Sequence, residues 1–189
     1  WVPVGNQPLI IIMGGSQGAQ VINDVIYNLL DFLNDKNFRI VHILGDTLDP
    51  KFNNKKNKNY IPIAFTNEIA ALMQNCDLVI SRAGSGAINE IIKTKSPSIL
   101  IPYPNAKNNH QEKNALILSS IGCSIMIQQN KNLEINLKEN LQRIFKMESN
   151  NSKNQYKILE IMKKNISEFN LKDPRQEIKK IINYLTKNL

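Results

Sequence analysis

Three short stretches carry residues whose types and spacing suit chemistry on a phosphorylated ligand. The first is Gly14-Gly15-Ser16-Gln17-Gly18, which follows an apolar run and precedes a segment where Val21, Ile22, Ile26, Leu29 and Leu30 recur at helical spacing. Strand, glycine turn and helix in that order place backbone amides at a helix N-terminus. Those amides have no intrahelical partner, and the helix dipole adds partial positive charge. Glycines let a ligand approach the backbone without a Cβ in the way. A phosphate or diphosphate is the natural occupant, but a glycine at such a turn also occurs for steric reasons alone.

The second stretch is SRAGSGAINE, residues 81–90. Ser85 is placed to cap a helix, and Gly86 and Glu90, four apart, share a helix face. A carboxylate above a glycine gap suits a diol, because its two oxygens accept from adjacent ribose hydroxyls. The plainer reading, an exposed glutamate paired with Lys93, is favoured on pattern alone. Arg82 either holds an anion or forms a surface salt bridge. The third stretch, PYPNAKNNHQEKNA at residues 102–115, brings His110, Gln111 and Asn114 to the start of another helix. A polar helix start is commonly just solvated, and His110 has no visible acidic partner for catalysis.

The elements that must position these residues alternate. The first helix is expected to end near residues 34–37. Strands are expected at 38–44, 60–65, 77–81, 98–101 and 124–127, after the first at residues 9–13. Residues 47–59 read as a surface loop, and Thr66 as the N-cap of a helix over 67–75. Further helices are expected over 87–93 and 110–121. Such alternation with short links specifies an α/β fold: a Rossmann-like parallel sheet of about six strands with helices on both faces. Ligands of such sheets bind beyond the carboxyl ends of the strands, where all three stretches fall. From Leu133 onward the pattern is helical only, through Leu137, Leu141 and Ile144, then Ile158, Met162 and Ile166. A last helix starts at Pro174. The expectation is one domain over 1–189, with 130–189 as its helical extension.

Composition excludes some classes. The 189 residues are 42% hydrophobic and 21% charged, with no apolar run near the ~20 residues of a membrane-spanning helix. The chain begins Trp1-Val2-Pro3, without Met and without a signal-peptide pattern, so an excised part of a longer protein is expected. Cys76 and Cys123 sit among apolar neighbours without CxxC spacing and read as buried thiols. His42 and His110 lack a second ligand nearby, so no metal site is expected. The net charge of +8 comes from scattered lysines, many in Asn/Lys-rich stretches, and reads mainly as solvated surface with a lean towards an anionic partner.

Together, GGSQGA (14–19), SRAGSGAINE (81–90) and NHQEKNA (109–115) resemble the donor-half signatures of the MurG family. These are bacterial transferases that add N-acetylglucosamine to lipid-linked muramyl-pentapeptide in peptidoglycan synthesis. The resemblance runs from Leu9 to about Gln128 and includes VHILG at 41–45 and AFTNEIAALMQNCDLVISRAG from Ala64. It implies one half of a GT-B arrangement, binding UDP-N-acetylglucosamine (UDP-GlcNAc) as donor, with no cofactor and no tightly bound metal. Gly15, Ser16, Gln17 and Gly18 would form the first loop, with Ser16 on the diphosphate and Gln17 on the diphosphate or the sugar side. Thr66, after Phe65, matches the position whose backbone reads the uracil edge. Ser85, Gly86 and Ala87 would present amides to the diphosphate, and Glu90 would hold the ribose hydroxyls, reversing the plainer reading. His110 and Gln111 fall where relatives place a polar pair, commonly two glutamines, against the sugar. Ala87 stands where some relatives have threonine, which removes one hydroxyl donor.

The resemblance also implies that the acceptor-binding N-terminal half, with the catalytic base, is absent, so no catalytic residue is assigned here. The partners it implies are UDP-GlcNAc, the lipid-linked acceptor through the other half, and an anionic inner-leaflet surface. Its location would be the bacterial cytoplasm, peripheral on the plasma membrane. Two other readings stand beside it. One is the donor half of another GT-B enzyme working with a separate acceptor subunit, as in the dolichol-linked GlcNAc transferase. The other is a basic nucleic-acid-binding module, which only the charge suggests, since no aromatic-basic stripe is present.

Overall fold

A computed structural model describes residues 2–15, 19–45, 49–145 and 157–169. Six strands form one sheet: β1 (Leu9–Met13), β2 (Arg39–Ile43), β3 (Tyr60–Ile63), β4 (Leu78–Ser81), β5 (Ser98–Leu100) and β6 (Ser124–Met126). Every pairing is parallel and the order is β3-β2-β1-β4-β5-β6. The chain winds outward from β1 to one edge, then returns to β4 on its other side. That reversal opens a crevice between the ends of β1 and β4, where Met13 lies opposite Ser81. Pro62 is tolerated because β3 is an edge strand.

Seven helices cover the described sheet: α1 (Gln20–Asp35), α2 (Pro50–Asn54), α3 (Ile69–Gln74), α4 (Ser85–Thr94), α5 (His110–Ser120), α6 (Leu133–Phe145) and α7 (Lys157–Glu168). Side chains alternate along a strand, so β1 feeds two cores. Ile10 and Ile12 join Ile22, Ile26 and Leu30 of α1 and Leu137 and Leu141 of α6 on one face. Leu9 and Ile11 join Leu72 of α3, Ile91 of α4 and Leu118 of α5 on the other. Burial on both faces explains why the strands read as continuous apolar runs.

The expected strands and long helices are present, with three local differences. Residues 47–59 are not simply loop: Pro50–Asn54 forms one helical turn, capped by Asp49 Oδ1 accepting from the Lys51 amide at 3.0 Å. The turn buries Phe52, and five residues are too few for a helical period to register. Thr66 is not a helix N-cap. Its hydroxyl accepts from the Glu68 amide at 3.0 Å, two residues on, and α3 starts only at Ile69. Ser85 is the first helical residue of α4 rather than its cap; Gly84 holds the extended cap position and no side chain caps it. The helix expected from Pro174 lies outside the described residues.

Cys76 and Cys123 are free and buried, and burial pushes both thiols up to about 12. His42, in the middle of β2, is fully buried. The Asn23 amide donates to Leu44 O at 3.0 Å, so its oxygen faces His42 Nε2 at 3.1 Å. Nε2 therefore carries the proton, and Nδ1 accepts from the Tyr60 hydroxyl at 2.9 Å. This neutral chain ties α1 to the end of β2. Burial lowers the His42 pKa to about 3.

Candidate functional site

Both glycine turns reach the crevice because each follows a strand that ends there. After β1, Gly15 adopts φ +96°, a region that favours glycine, and it is exposed. Ser16, Gln17 and Gly18 lie outside the described residues. α1 then starts at Gln20 with Ala19 in the cap position, no capping side chain and no acidic residue in its first turn. α4 starts in the same way, with Gly84 at the cap and no carboxylate in its first turn. The amides of Ser85, Gly86 and Ala87 are consequently open; the first intrahelical bond is donated by Ile88 to Gly84 O. By contrast α5, α6 and α7 each carry a glutamate in the first turn. The two helices whose N-termini border the crevice are left un-neutralised, which suits an anion.

A Cβ on Gly84 or Gly86 would meet nothing within 4 Å. Neither residue has a positive φ, so the backbone does not demand glycine there. What the glycines leave is open room beside the amides. Glu90 lies one turn beyond Gly86 on the same face of α4, half-buried. It forms no ion pair with Lys93 or any other described residue, so the surface-pair reading has no contact behind it.

At the ends of β1, β2 and β3 an open apolar pocket of about 170 Å³ is lined by Met13, Gly15, Ile43, Phe65, Thr66 and Ile69. Phe65 is 65% exposed, unusual for a large aromatic side chain. Among the described residues, the backbone N–H and C=O of Thr66 at the pocket rim make no hydrogen bond. The pocket therefore offers an aromatic face, an apolar floor, one donor and one acceptor. Phe65 could have been found from the sequence as an aromatic placed just past the end of a strand.

On the far side of β4, the turn Lys107–Asn109 leads into α5 with Asn108 and Asn109 both left-handed, at φ 54°. His110 Nδ1 lies 2.8 Å from Lys107 O and must donate to it, leaving Nε2 as an acceptor in the neutral ring. Gln111 Oε1 accepts from the Tyr103 amide at 3.0 Å, which turns its NH₂ group outward. Asn114 donates to Ala83 O at 3.0 Å and so bolts α5 to the second glycine turn.

Arg82 is neither an open anion site nor a surface ion pair. It is 8% exposed, its Nη1 donates to Ile101 O and Pro102 O at 3.1 and 3.2 Å, and its guanidinium lies over the Tyr103 ring at 5.5 Å. Burial lowers its pKa, yet a guanidinium remains cationic. Among the described residues no three His, Cys, Asp or Glu side chains converge as metal ligands, and no helix is long and apolar enough to cross a membrane.

The pattern of the glycosyltransferase family 28 C-terminal domain matches residues 9–169. The chain belongs to glycosyltransferase family 28. A Prochlorococcus marinus (strain MIT 9312) protein is 58% identical over 187 residues, covering 99% of this family 28 chain and 52% of that protein. It is named UDP-N-acetylglucosamine–N-acetylmuramyl-(pentapeptide) pyrophosphoryl-undecaprenol N-acetylglucosamine transferase. A protein of the same name from strain MIT 9211 is 38% identical, over 92% of this chain and 48% of its own length. The chain thus spans about half the length of these relatives. Among solved structures, MurG of Acinetobacter baumannii superposes with a TM-score of 0.70 at 20% identity, covering 97% of this chain and 53% of that one. That likeness establishes the shared Rossmann-like, GT-B-type fold.

Proposed function

We propose that this family 28 chain is the donor-binding half of an inverting N-acetylglucosaminyltransferase. It takes UDP-GlcNAc in the crevice between β1 and β4 and delivers the sugar to lipid-linked muramyl-pentapeptide held by a second half. The carrying observation is the pair of uncapped, un-neutralised helix N-termini, α1 and α4, on either side of that crevice.

The ligand's parts then distribute along the edge. Uracil lies in the pocket under Phe65, and the free N–H and C=O of Thr66 pair with its edge. Glu90 accepts from the two ribose hydroxyls, which suits a half-buried carboxylate with no cation beside it among the described residues. The diphosphate faces the amides of Ser85, Gly86 and Ala87, and Gly15, Ser16, Gln17 and Gly18 contribute to the same subsite. The sugar extends towards His110, an acceptor through Nε2, and Gln111, a donor through its NH₂.

Transfer breaks the bond between C1 and the UDP oxygen while an acceptor hydroxyl attacks from the opposite face. Negative charge grows on the leaving diphosphate, and fixed amides at a helix N-terminus stabilise it without reorganising. This division needs no tightly bound metal or other cofactor. Deprotonating the acceptor hydroxyl falls to a base on the second half. The lipid-linked acceptor places the work at the cytoplasmic face of the bacterial plasma membrane. There the positive net charge of the chain suits an anionic leaflet. Residues 1–189 act as one donor-binding domain, with 130–189 its C-terminal extension, to which α6 and α7 belong.

Calorimetric titration of the chain with UDP-GlcNAc, UDP-GalNAc and UDP tests this reading. Preferential binding of UDP-GlcNAc supports it. A folded chain that binds none of the three overturns it.

A further inference from the structure

The segment Pro102-Tyr103-Pro104 after β5 has one backbone N–H in three residues, because proline has none. It cannot hold itself in place through its own amides, and side chains from two neighbouring elements do so instead. Arg82, at the end of β4, donates to Ile101 O and Pro102 O and places its guanidinium over the Tyr103 ring. The lone amide, on Tyr103, goes to Gln111 on α5. Asn114, one helical turn further along α5, donates to Ala83 O, next to Arg82. The contacts close a circuit from the β4 turn to the end of β5, on to α5 and back.

We propose that Arg82 is a positioning residue for sugar selection: by holding this circuit it sets the spacing between the open amides of Ser85–Ala87 and the His110–Gln111 pair. The proposal rests on the donor-binding reading given above. Arg82 need not touch the ligand. A guanidinium suits the task, since one Nη1 group reaches two successive carbonyls while the cation lies over an aromatic ring. No carboxylate among the described residues competes for it. Its removal takes away the donor that both carbonyls use and loosens the start of the loop after β5. Tyr103 then no longer presents its amide at one place, and the Gln111 side chain loses its fixed orientation. The α4 amides are held by their own helix and stay where they are.

The test is calorimetric titration of the full 189-residue chain with UDP, UDP-GlcNAc and UDP-GalNAc, comparing wild type with Arg82→Met, Arg82→Lys and Asn114→Ala. For Arg82→Met the expected UDP affinity stays within about threefold, while the preference for UDP-GlcNAc over UDP and over UDP-GalNAc falls ~10-fold as alignment is lost. Arg82→Lys recovers part of the preference, since an ammonium still reaches a carbonyl. Asn114→Ala opens the same circuit from α5 without emptying a buried site, and gives the same split even if Arg82→Met does not fold. Equal losses for all three ligands, or unchanged preferences in the variants, overturn the proposal. A wild-type chain that binds UDP without preferring UDP-GlcNAc also overturns it and leaves the nucleotide site standing. A wild-type chain that binds none of them overturns the donor-binding reading itself, and this proposal with it.

Discussion

Glu90 stands half-buried on α4, one turn past Gly86, with no described cation beside it. A carboxylate in that position is matched when two ribose hydroxyls donate to it. Glu90→Ala should therefore weaken UDP binding by ~1.5–3 kcal/mol, the range for hydrogen bonds to a charged group, with little change in melting temperature. Calorimetry and a thermal melt of the same sample check both parts. His42 uses burial differently, as a neutral link between Tyr60 and Asn23. Its pKa is about 3 in the folded chain, against 6.5 when exposed. Between those values the unfolded state binds the extra proton, so stability rises with pH. The contribution of His42 is complete above pH 6.5 and is lost on acidification, at up to ~1.4 kcal/mol per pH unit. His42→Gln should be less stable at neutral pH but show a shallower fall in melting temperature between pH 6.5 and 4.5. An unchanged slope would show that other groups dominate acid unfolding.

At the scale of elements, α4 combines a helix start with a ligand surface, and the two demands conflict. Gly86 is helical, has no positive φ and has no neighbour that a Cβ would meet. Gly86→Ala should thus leave the fold intact or stabilise it by about 0.5 kcal/mol through helix propensity. The same methyl occupies the room beside the open amides, so UDP affinity should fall ~10-fold or more, roughly the loss of one charge-assisted hydrogen bond. A stabilised chain with unchanged UDP affinity would move the diphosphate away from α4. Most elements were legible because their patterns are long: apolar runs for the strands, and the 3.6 period of α1 and α6. The turn at Pro50–Asn54 was not, although Asp49-Pro50 is a helix-start signal, because one buried residue, Phe52, shows no period.

At the scale of the whole molecule, the crevice and the supporting base lie at opposite ends of the strands. α7 passes beneath the N-terminal ends: Asn165 donates to Gly122 O before β6, and Lys163 lies 3.9 Å from Asp77 before β4. Leu159 enters the core on one face of the sheet and Ile166 the core on the other, so α7 clasps both. Ile166→Ala should cost ~2–4 kcal/mol of stability, as large-to-small changes in a packed core do. The folded fraction should keep its UDP affinity, because the lost contacts lie across the full length of the sheet from the crevice. Denaturant unfolding paired with titration at low temperature reads both quantities, and a matching drop in affinity would show that the two ends are coupled.

Local chemistry alone determined much of this protein. Strand–glycine–helix order placed the amides of both turns, alternation of elements specified a parallel sheet, and three motifs at 14–19, 81–90 and 109–115 carried the family resemblance. These are properties of neighbouring residues, and short-range sterics and periodicity express them directly. Tertiary structure decided which turns face each other, since the order β3-β2-β1-β4-β5-β6 brings β1 and β4 together across 64 positions of sequence. It decided that Arg82 is buried under Tyr103 rather than solvated, and that Glu90 has no lysine to pair with among the described residues. It also built the pocket under Phe65 from three separate strand ends. A side chain's burial and partners are set by whatever distant segment packs over it, and no pattern confined to its own neighbourhood records that.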